Sequence, residues 1–512
     1  MLLICATGWM CGACYDDKGN YDYTELSEVR IDTAGLGIPA ECNITRFERM
    51  ILAPNVYYNG KLVNDDANAP LDYYWTIYSS TGIGTTDFVV DTVCRERVLD
   101  AEITRAPAAY QIQLEVCNRE TNLKKFLQIA CTVEGAIPTS GWMVLYECAD
   151  KPGTSDVGLV YNSLTKKSWY SDDLVYWNLY SSSNGVPMEG KPVRVIRTVK
   201  TLPNDVIVLV TEKEMNGVNA ESFNRELTFN DFFYEAPSTV SLGAYSQGGY
   251  MSTTASMGET IINGNKLYVG AGSRPVGVPM IGTYGELAPW LCLCHNGFSA
   301  VVYDQMNGCF LGVANGVKLT SMVAQNPDAA FDVNNVGAVL LMSDWGYGNR
   351  EYFLMKKDNG YYFASANFFG GATNASMGTG WYDITSSPEI ANATTMAVAY
   401  QGLYMMYGAG NSVYNLFYTM NQTADKLWEA PSTDEVVTCV QLQKFDYMAL
   451  HMAMLPNPNA VLHIATWNEK TKEGKLYQYA INAASGALVS DPKVYTVPGK
   501  VKDMGWKYVL GI

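Results

Sequence analysis

Few residues of this 512-residue sequence have the types and spacings that chemistry requires. There are only three histidines, which limits Ser-His-Asp and Cys-His mechanisms. His451 and His463 lie in apolar, strand-like runs typical of core or channel-lining positions. His295 follows Cys292 and Cys294, and such a cluster can bind a soft metal. No fourth ligand is near, and in a strand His295 would point away from both cysteines. We therefore predict neither a histidine-dependent catalytic centre nor a metal site.

Paired carboxylates are the other chemistry open to the chain, because a glycosidase needs only two Asp or Glu side chains. The candidates are Asp172, Asp173, Asp344, Glu351 and Asp383. Nothing in their spacing selects a pair, and acidic residues in turns are usually only solvated. We favour a binding protein without catalytic activity. The alternatives are a glycoside hydrolase or lyase that uses such carboxylates and a purely structural or adhesive protein. No cofactor motif is present, and we expect no cofactor.

The N-terminal residues predict acylation. Residues 1–13 carry no charge and are too few to cross a bilayer, but they fit the apolar part of a secretory signal. Gly12 and Ala13 are the small residues that a lipoprotein signal peptidase requires before a cysteine. We therefore expect a signal peptide over 1–13, a lipid on Cys14 and a tether over 14–24. The alternative is a buried apolar strand.

Aromatic residues in glycine-rich segments are the strongest indication of binding. Trp345 and Tyr347 lie in the segment Ser343-Asp344-Trp345-Gly346-Tyr347-Gly348, and Trp381 follows Gly380. We expect these segments to be loops one repeat apart, which places the three side chains on one face. Exposed aromatic rings stack on sugars or peptide side chains. The alternative is that each ring is a wedge between structural repeats.

The composition indicates an all-β protein. Lys and Arg number 35 against 51 Asp and Glu, so the net charge is −16, which argues against nucleic-acid binding. Only 17% of residues are charged, and glycine and tyrosine are abundant. The nine cysteines after Cys14 form no dense disulfide framework, and most are expected to be buried free thiols. Cys117 should face outward and Cys131 inward on adjacent strands, so these two should not bridge.

Residues 25–136 predict an immunoglobulin-like β-sandwich. The run 73–78 is a strand with Trp75 at its centre, and 110–116 alternates strictly between apolar and polar residues. A polar turn at 118–121 leads into a returning strand over 126–133. A Trp-centred strand, a Tyr-led alternating strand and a hairpin partner together resemble a PKD domain, although no Asp-Phe-Gly-Asp follows the Trp.

Residues 138–512 predict a β-propeller. Dipeptides ending in glycine recur between β-rich runs, and Asn-Gly is a strong hairpin signal because both residues adopt positive φ. Seven units of propeller-blade size follow. Six or eight blades, or stacked sandwiches, are the alternatives. The dipeptides are Pro152-Gly153, Asn216-Gly217, Asn263-Gly264, Asn307-Gly308, Asn359-Gly360, Gln401-Gly402 and Glu473-Gly474.

Residues 14–29 resemble the start of the PKD-like family lipoproteins of Bacteroidota. The resembling stretch reads Cys-Tyr-Asp-Asp-Lys-Gly-Asn-Tyr-Asp-Tyr and continues Thr-Glu-Leu-Ser-Glu-Val. The resemblance implies that Asp16 and Asp17 form a surface-export signal. It also implies an outer-membrane lipoprotein exposed at the cell surface and held to the membrane by its lipid alone. Its expected partners are a TonB-dependent importer and its lid lipoprotein, with a glycan or peptide as ligand.

Overall fold

The computed structural model describes most of the chain from residue 28 to residue 508. The described residues are 28–33, 38, 41–46, 48–79, 90–105, 108–134, 137–138, 140–165, 173–198, 206–246, 260–270, 277, 282–293, 298–314, 318–368, 374–444 and 455–508. Cys14, Asp16 and Asp17 lie outside them. The chain divides into two compact units between residues 134 and 135.

The first unit is a β-sandwich. Its described strands form a five-stranded sheet in the order β2-β10-β9-β6-β7, a three-stranded sheet β1-β4-β5 and a pair β3-β8. The strands are β1 Val29–Asp32, β2 Glu41–Thr45, β3 Arg49–Leu52, β4 Asn55–Tyr58, β5 Lys61–Leu62, β6 Leu71–Ser79, β7 Asp91–Cys94, β8 Leu99–Glu102, β9 Ala108–Asn118 and β10 Lys124–Glu134.

One core joins the three sheets of this unit. Trp75 on β6 is fully buried, and its indole N–H donates a 3.2 Å hydrogen bond to the carbonyl oxygen of Arg97. Ile112 and Leu114 on β9 and Ile129 on β10 complete the same face of the large sheet. The alternating pattern in the sequence thus identified the buried faces of β9 and β10, and the predicted sandwich is confirmed.

The second unit is built from strands β11 to β38, with one α-helix and two short 3-10 helices among the described residues. The helix α1 spans Leu179–Asn184, and the 3-10 helices span Phe229–Phe232 and Ile390–Asn392. The strands are β11 Ser140–Cys148, β12 Thr154–Tyr161, β13 Leu174–Tyr176, β14 Met188–Glu189, β15 Pro192–Thr198, β16 Val206–Thr211, β17 Met215–Asn219, β18 Arg225–Leu227, β19 Leu242–Ser246, β20 Thr260–Asn263, β21 Lys266–Val269, β22 Leu287–Leu293, β23 Phe298–Asp304, β24 Cys309–Ala314, β25 Lys318–Ser321, β26 Val339–Gly346, β27 Arg350–Lys357, β28 Gly360–Ala366, β29 Gly378–Asp383, β30 Ala393–Val398, β31 Met405–Ala409, β32 Ser412–Leu416, β33 Asp425–Glu429, β34 Glu435–Leu442, β35 Val461–Asn468, β36 Glu473–Ala480, β37 Lys493–Val497 and β38 Gly499–Tyr508.

These strands form seven antiparallel sheets, which are the blades of a propeller. Blade one has the order β38-β11-β12-β13, with β14 also paired to β12. Blades two to seven follow in sequence and begin at β15, β19, β22, β26, β30 and β34. The last strand, β38, is therefore the innermost strand of the first blade, and it contacts the innermost strands of blades two and seven. This contact closes the ring, and the predicted seven-bladed propeller is confirmed.

Register shifts occur along all the innermost strands, and bridging side chains occur at some of them. In every blade the pairing of the first and second strands is interrupted by a register shift, as a β-bulge produces. Side chains also bridge three seams between blades. Asp344 accepts a 2.7 Å hydrogen bond from the amide of Val398, and Asp503 accepts a 3.0 Å bond from the amide of Val195. The hydroxyl of Thr395 likewise accepts a 2.9 Å bond from an amide, that of Val440 on β34.

Three of the seven predicted turn dipeptides lie outside the turn between the second and third strands of their blades. Asn216-Gly217 lies inside β17, and Glu473-Gly474 begins β36, because the preceding residues make the turns. Gln401-Gly402 precedes the second strand of blade six, whereas the turn between its second and third strands is at Gly410-Asn411. Gly410 has φ of +56°, the conformation that such a turn requires. The blade count survived because each blade still contributed one marker.

We expect the stability of the second unit to depend on strand β38. Deleting residues 499–512 removes β38 together with Val501, Met504 and Trp506, all of which are buried. Each loss costs roughly 2–5 kcal/mol, which together is comparable to the whole stability of a domain. We expect this variant to lose cooperative thermal unfolding, measured by circular dichroism. The control deletion of 509–512 leaves β38 intact and should melt like the full chain. If the larger deletion also melts normally, the ring is not closed by β38.

Candidate functional site

The three predicted binding aromatics all belong to blade five. Trp345 lies at the end of β26, Tyr347 in the turn after it and Trp381 in β29. The expectation that they follow different blades was wrong, because one blade accounts for the whole segment between them. Trp345 and Trp381 are on the first and fourth strands, three strand spacings or about 14 Å apart. They do not form one continuous surface.

Trp345 is buried and not in an exposed loop, so this part of the prediction was also wrong. It is 3% exposed and belongs to the core cluster that is otherwise built from blades one and seven. Its ring lies 5.3 Å from the ring of Tyr400. Gly346 is the last residue of β26, and a Cβ atom there would lie only 2.5 Å from Val398 of blade six. The glycine therefore permits close packing of the blades.

Lys444 organises the packing around Trp345 at this end of the inner strands. Its buried ammonium group forms a 2.6 Å ion pair with Asp344 and donates to the carbonyl oxygens of Trp345 and Val398, the latter at 2.8 Å. The same group lies 5.0 Å from the centre of the Trp345 ring. Lys444 follows β34, so one side chain links blades five, six and seven. We call Asp344, Trp345, Val398 and Lys444 the lysine brace.

Glu351 lies beside the lysine brace, but its contact joins blades four and five. Trp290 of blade four donates a 3.2 Å hydrogen bond to its carboxylate, and burial raises the pKa of Glu351 to about 7. The register pairs Glu351 with Trp345 and Asp344 with Tyr352, so the two carboxyl groups project from opposite faces of blade five. Asp344 and Glu351 therefore do not flank a common bond as a glycosidase pair does.

The remaining candidates for chemistry have structural roles where they are described. Asp173 pairs with Lys493 at 2.6 Å on the surface, and Asp383 accepts a 3.0 Å bond from the amide of Thr385. Asp172, His295 and His451 lie outside the described residues. Within the described part of the chain, no three His, Cys, Asp or Glu side chains are grouped as metal ligands.

His463 on β35 is the core histidine that its apolar surroundings predicted. It is fully buried and stacks on Trp142, with 3.9 Å between ring centres and 6° between planes. Its ring nitrogens contact the side-chain oxygen of Gln443 at 3.2 Å and the side-chain nitrogen of Gln478 at 3.0 Å. Burial lowers the pKa of His463 well below its usual value, so the ring is neutral. It joins blades seven and one.

A partly exposed aromatic group is formed by Tyr362 on β28, Trp381 on β29 and Phe331 in the segment before β26. Trp381 stacks on Tyr362, with 5.1 Å between ring centres and 26° between planes, and lies 5.3 Å from Phe331. All three rings are half-buried. We call these three residues the aromatic edge. Tyr347 is separately exposed at the end of the blade, with 43% of its surface accessible. Sequence reasoning found Trp381 and Tyr347 but missed Phe331 and Tyr362, whose runs carry no distinctive signal.

The lysine brace predicts a large stability effect. Lys444→Met leaves Asp344 without its ion partner, and breaking a buried pair costs about 3–5 kcal/mol. The control Lys470→Met breaks an exposed 2.8 Å pair with Asp434 and should cost less than about 1 kcal/mol. Thermal unfolding of both variants measures the difference. Equal shifts in the two variants would show that the brace is not important for the fold.

The model of the PKD-like family matches residues 14–192. No curated protein matches the sequence. The solved structures that match include a quinonprotein alcohol dehydrogenase-like protein from Bacteroides thetaiotaomicron, at 11% identity and TM-score 0.47, covering 94% of this chain and 99% of that one. The WD40 domain of SCAP from fission yeast is 8% identical with TM-score 0.32, covering 60% and 75%. At these scores the fold assignment rests on the sheet order and on β38. The chain is thus similar to the PKD-like family over residues 14–192.

Proposed function

We propose that the protein is a lipoprotein of the outer membrane, exposed at the cell surface and anchored through Cys14, without catalytic activity. One observation carries the proposal. The match to the PKD-like family begins at Cys14, the residue that the preceding small residues mark for acylation. Cleavage before Cys14 would remove residues 1–13 and leave the lipid-bearing cysteine as the new N-terminus. Asp16 and Asp17 would then stand next to the membrane anchor as the export signal.

The internal contacts of the propeller support a binding role over catalysis. The polar groups with catalytic potential, Lys444, Asp344, Glu351 and His463, hold neighbouring blades together. Substrate would have to displace those contacts to reach them. Within the described residues, no helix has the length and apolar character to cross a membrane.

The aromatic edge and Tyr347 are the surfaces we propose for recognition. Flat, partly exposed rings such as Trp381 and Tyr362 can stack on a sugar ring or a peptide side chain. They lie on the outer strands, where another molecule can approach without opening the ring of blades. The proposed ligand is a nutrient glycan or peptide. The proposed partners are a TonB-dependent importer and its lid lipoprotein.

The anchor is tested by replacing the lipid-bearing residue. Cys14→Ala should abolish incorporation of labelled palmitate and release the protein from the outer-membrane fraction. The matched control is Cys11→Ala, which alters a cysteine that cleavage removes and should leave labelling unchanged. If Cys14→Ala is still labelled and still sediments with the membrane, the lipoprotein proposal is wrong.

The recognition surface is tested with a double variant, Tyr347→Ala with Trp381→Ala. One aromatic contact contributes roughly 1 kcal/mol, so losing two should reduce recovery of the importer about tenfold or more. The measurement is quantitative mass spectrometry of proteins that co-purify with the tagged protein from outer membranes in mild detergent. Tyr234→Ala is the control, since Tyr234 is 70% exposed elsewhere on the second unit. Undiminished recovery with a normal circular dichroism spectrum would place recognition elsewhere.

A further inference from the structure

Two cysteines of the first unit lie directly opposite each other. Cys42 is on β2 and Cys131 is on β10, and the two strands are parallel with these residues in register. Opposite residues of neighbouring strands project from the same face, with Cα atoms about 4.8 Å apart. That separation lies within the roughly 4.4–6.8 Å range of disulfides. Both cysteines are free thiols in the structure, and the Cys42 thiol is near enough to raise the pKa of the Cys131 thiol.

The two thiols differ in their exposure to solvent. Cys131 is 2% exposed and belongs to the core of the sandwich, and burial raises the pKa of its thiol. Cys42 packs against the same core but is only half-buried. An external reagent can therefore reach Cys42 first, while Cys131 lies beside it and is shielded from solvent.

The other described cysteines have no such partner across a sheet. Cys117 is opposite Lys124 on one side and Asp72 on the other, and Cys94 is opposite Trp75. In the described part of the second unit, the residues paired with Cys148, Cys292, Cys309 and Cys439 are Gly499, Val301, Asp304 and Ala465. The pairing of Cys42 with Cys131 is therefore specific and not a consequence of a cysteine-rich sequence.

We propose that Cys42 and Cys131 are a disulfide site, which closes by exchange with an oxidant that is itself a disulfide. The Cys42 thiol loses its proton and attacks the oxidant, forming a mixed disulfide and releasing one thiol. The Cys131 thiol then loses its proton and attacks the Cys42 sulfur, releasing the second thiol. Two protein thiols are oxidised and one external disulfide is reduced to two thiols. A protein outside the cytoplasm meets such oxidants, so the site fits the proposed export but does not depend on any ligand.

The cross-link would fasten one edge of the large sheet. Among the described strands, β2 lies at the edge of the sheet and pairs with β10 alone. β10 is also the last strand before the boundary at residue 134. A bond between Cys42 and Cys131 closes a long loop, and constraining a long loop removes more freedom from the unfolded chain than constraining a short one.

The direct test is a thiol map of the full-length protein. The folded protein is equilibrated with oxidised glutathione, denatured, alkylated and digested without reduction. We expect a peptide joining Cys42 to Cys131, with Cys94 and Cys117 alkylated. Alkylation of both Cys42 and Cys131 overturns the proposal. Glutathione retained on Cys42 without a cross-link, or a bond from Cys42 to a different cysteine, overturns it as well.

A second measurement separates the cross-link from simple packing. Hydrogen exchange of the β2 amides should be slower by about tenfold or more in oxidised than in reduced wild-type protein. Cys42→Ser should abolish this difference, whereas the control Cys117→Ser should retain it. If oxidation leaves β2 exchange unchanged in the wild type, or if Cys42→Ser shows the same oxidation-dependent slowing, the site does not form the proposed bond.

Discussion

The pairing of β38 with β11 is the interaction on which the second unit depends. Nine residues of β11 pair with residues 499–508, so the end of the chain supplies the inner strand of the blade that the chain began some 350 residues earlier. A propeller without such a strand has an open seam and two unprotected sheet edges. With it, every blade has a neighbour on each side. The core clusters can then run from blade to blade around the ring.

In a closed ring, the backbone groups at the free edges of the innermost strands still need hydrogen-bond partners. This need explains where the buried polar side chains lie. The innermost strands have no further strand to satisfy their free edge, and unsatisfied buried amides are costly. Asp344, Thr395 and Asp503 accept hydrogen bonds from the next blade, and Lys444 saturates its donors between blades five and six. Charged side chains on or just after the innermost strands thus bind neighbouring blades to each other.

The sequence predicted those features that depend on local pattern. Strict alternation identified the buried faces of β9 and β10, and the recurrent turns gave seven blades although three turns were misplaced. It failed where a contact joins distant segments. Nothing around Trp345 reveals that Lys444, about one hundred residues later, binds its carbonyl oxygen, so a glycine-flanked strand end looked like an exposed loop. Cys131 was correctly assigned inward, but its partner Cys42 follows from a parallel pairing that no hairpin signal marks.

The inner and outer strands of a blade differ in how tightly they are held, and this difference affects where another molecule can be recognised. Inner strands such as β26 are fixed on both faces and at their free edge, so substitutions there disturb the ring before they alter a surface. Among the described strands, the outermost strand β29 pairs with β28 alone, and its first residue, Gly378, also accepts a 3.0 Å hydrogen bond from the amide of Ala330. Side chains on β29 can vary without breaking the closure. For that reason the half-buried Trp381 is a better position for contact with another molecule than the buried Trp345, although the two look alike in sequence.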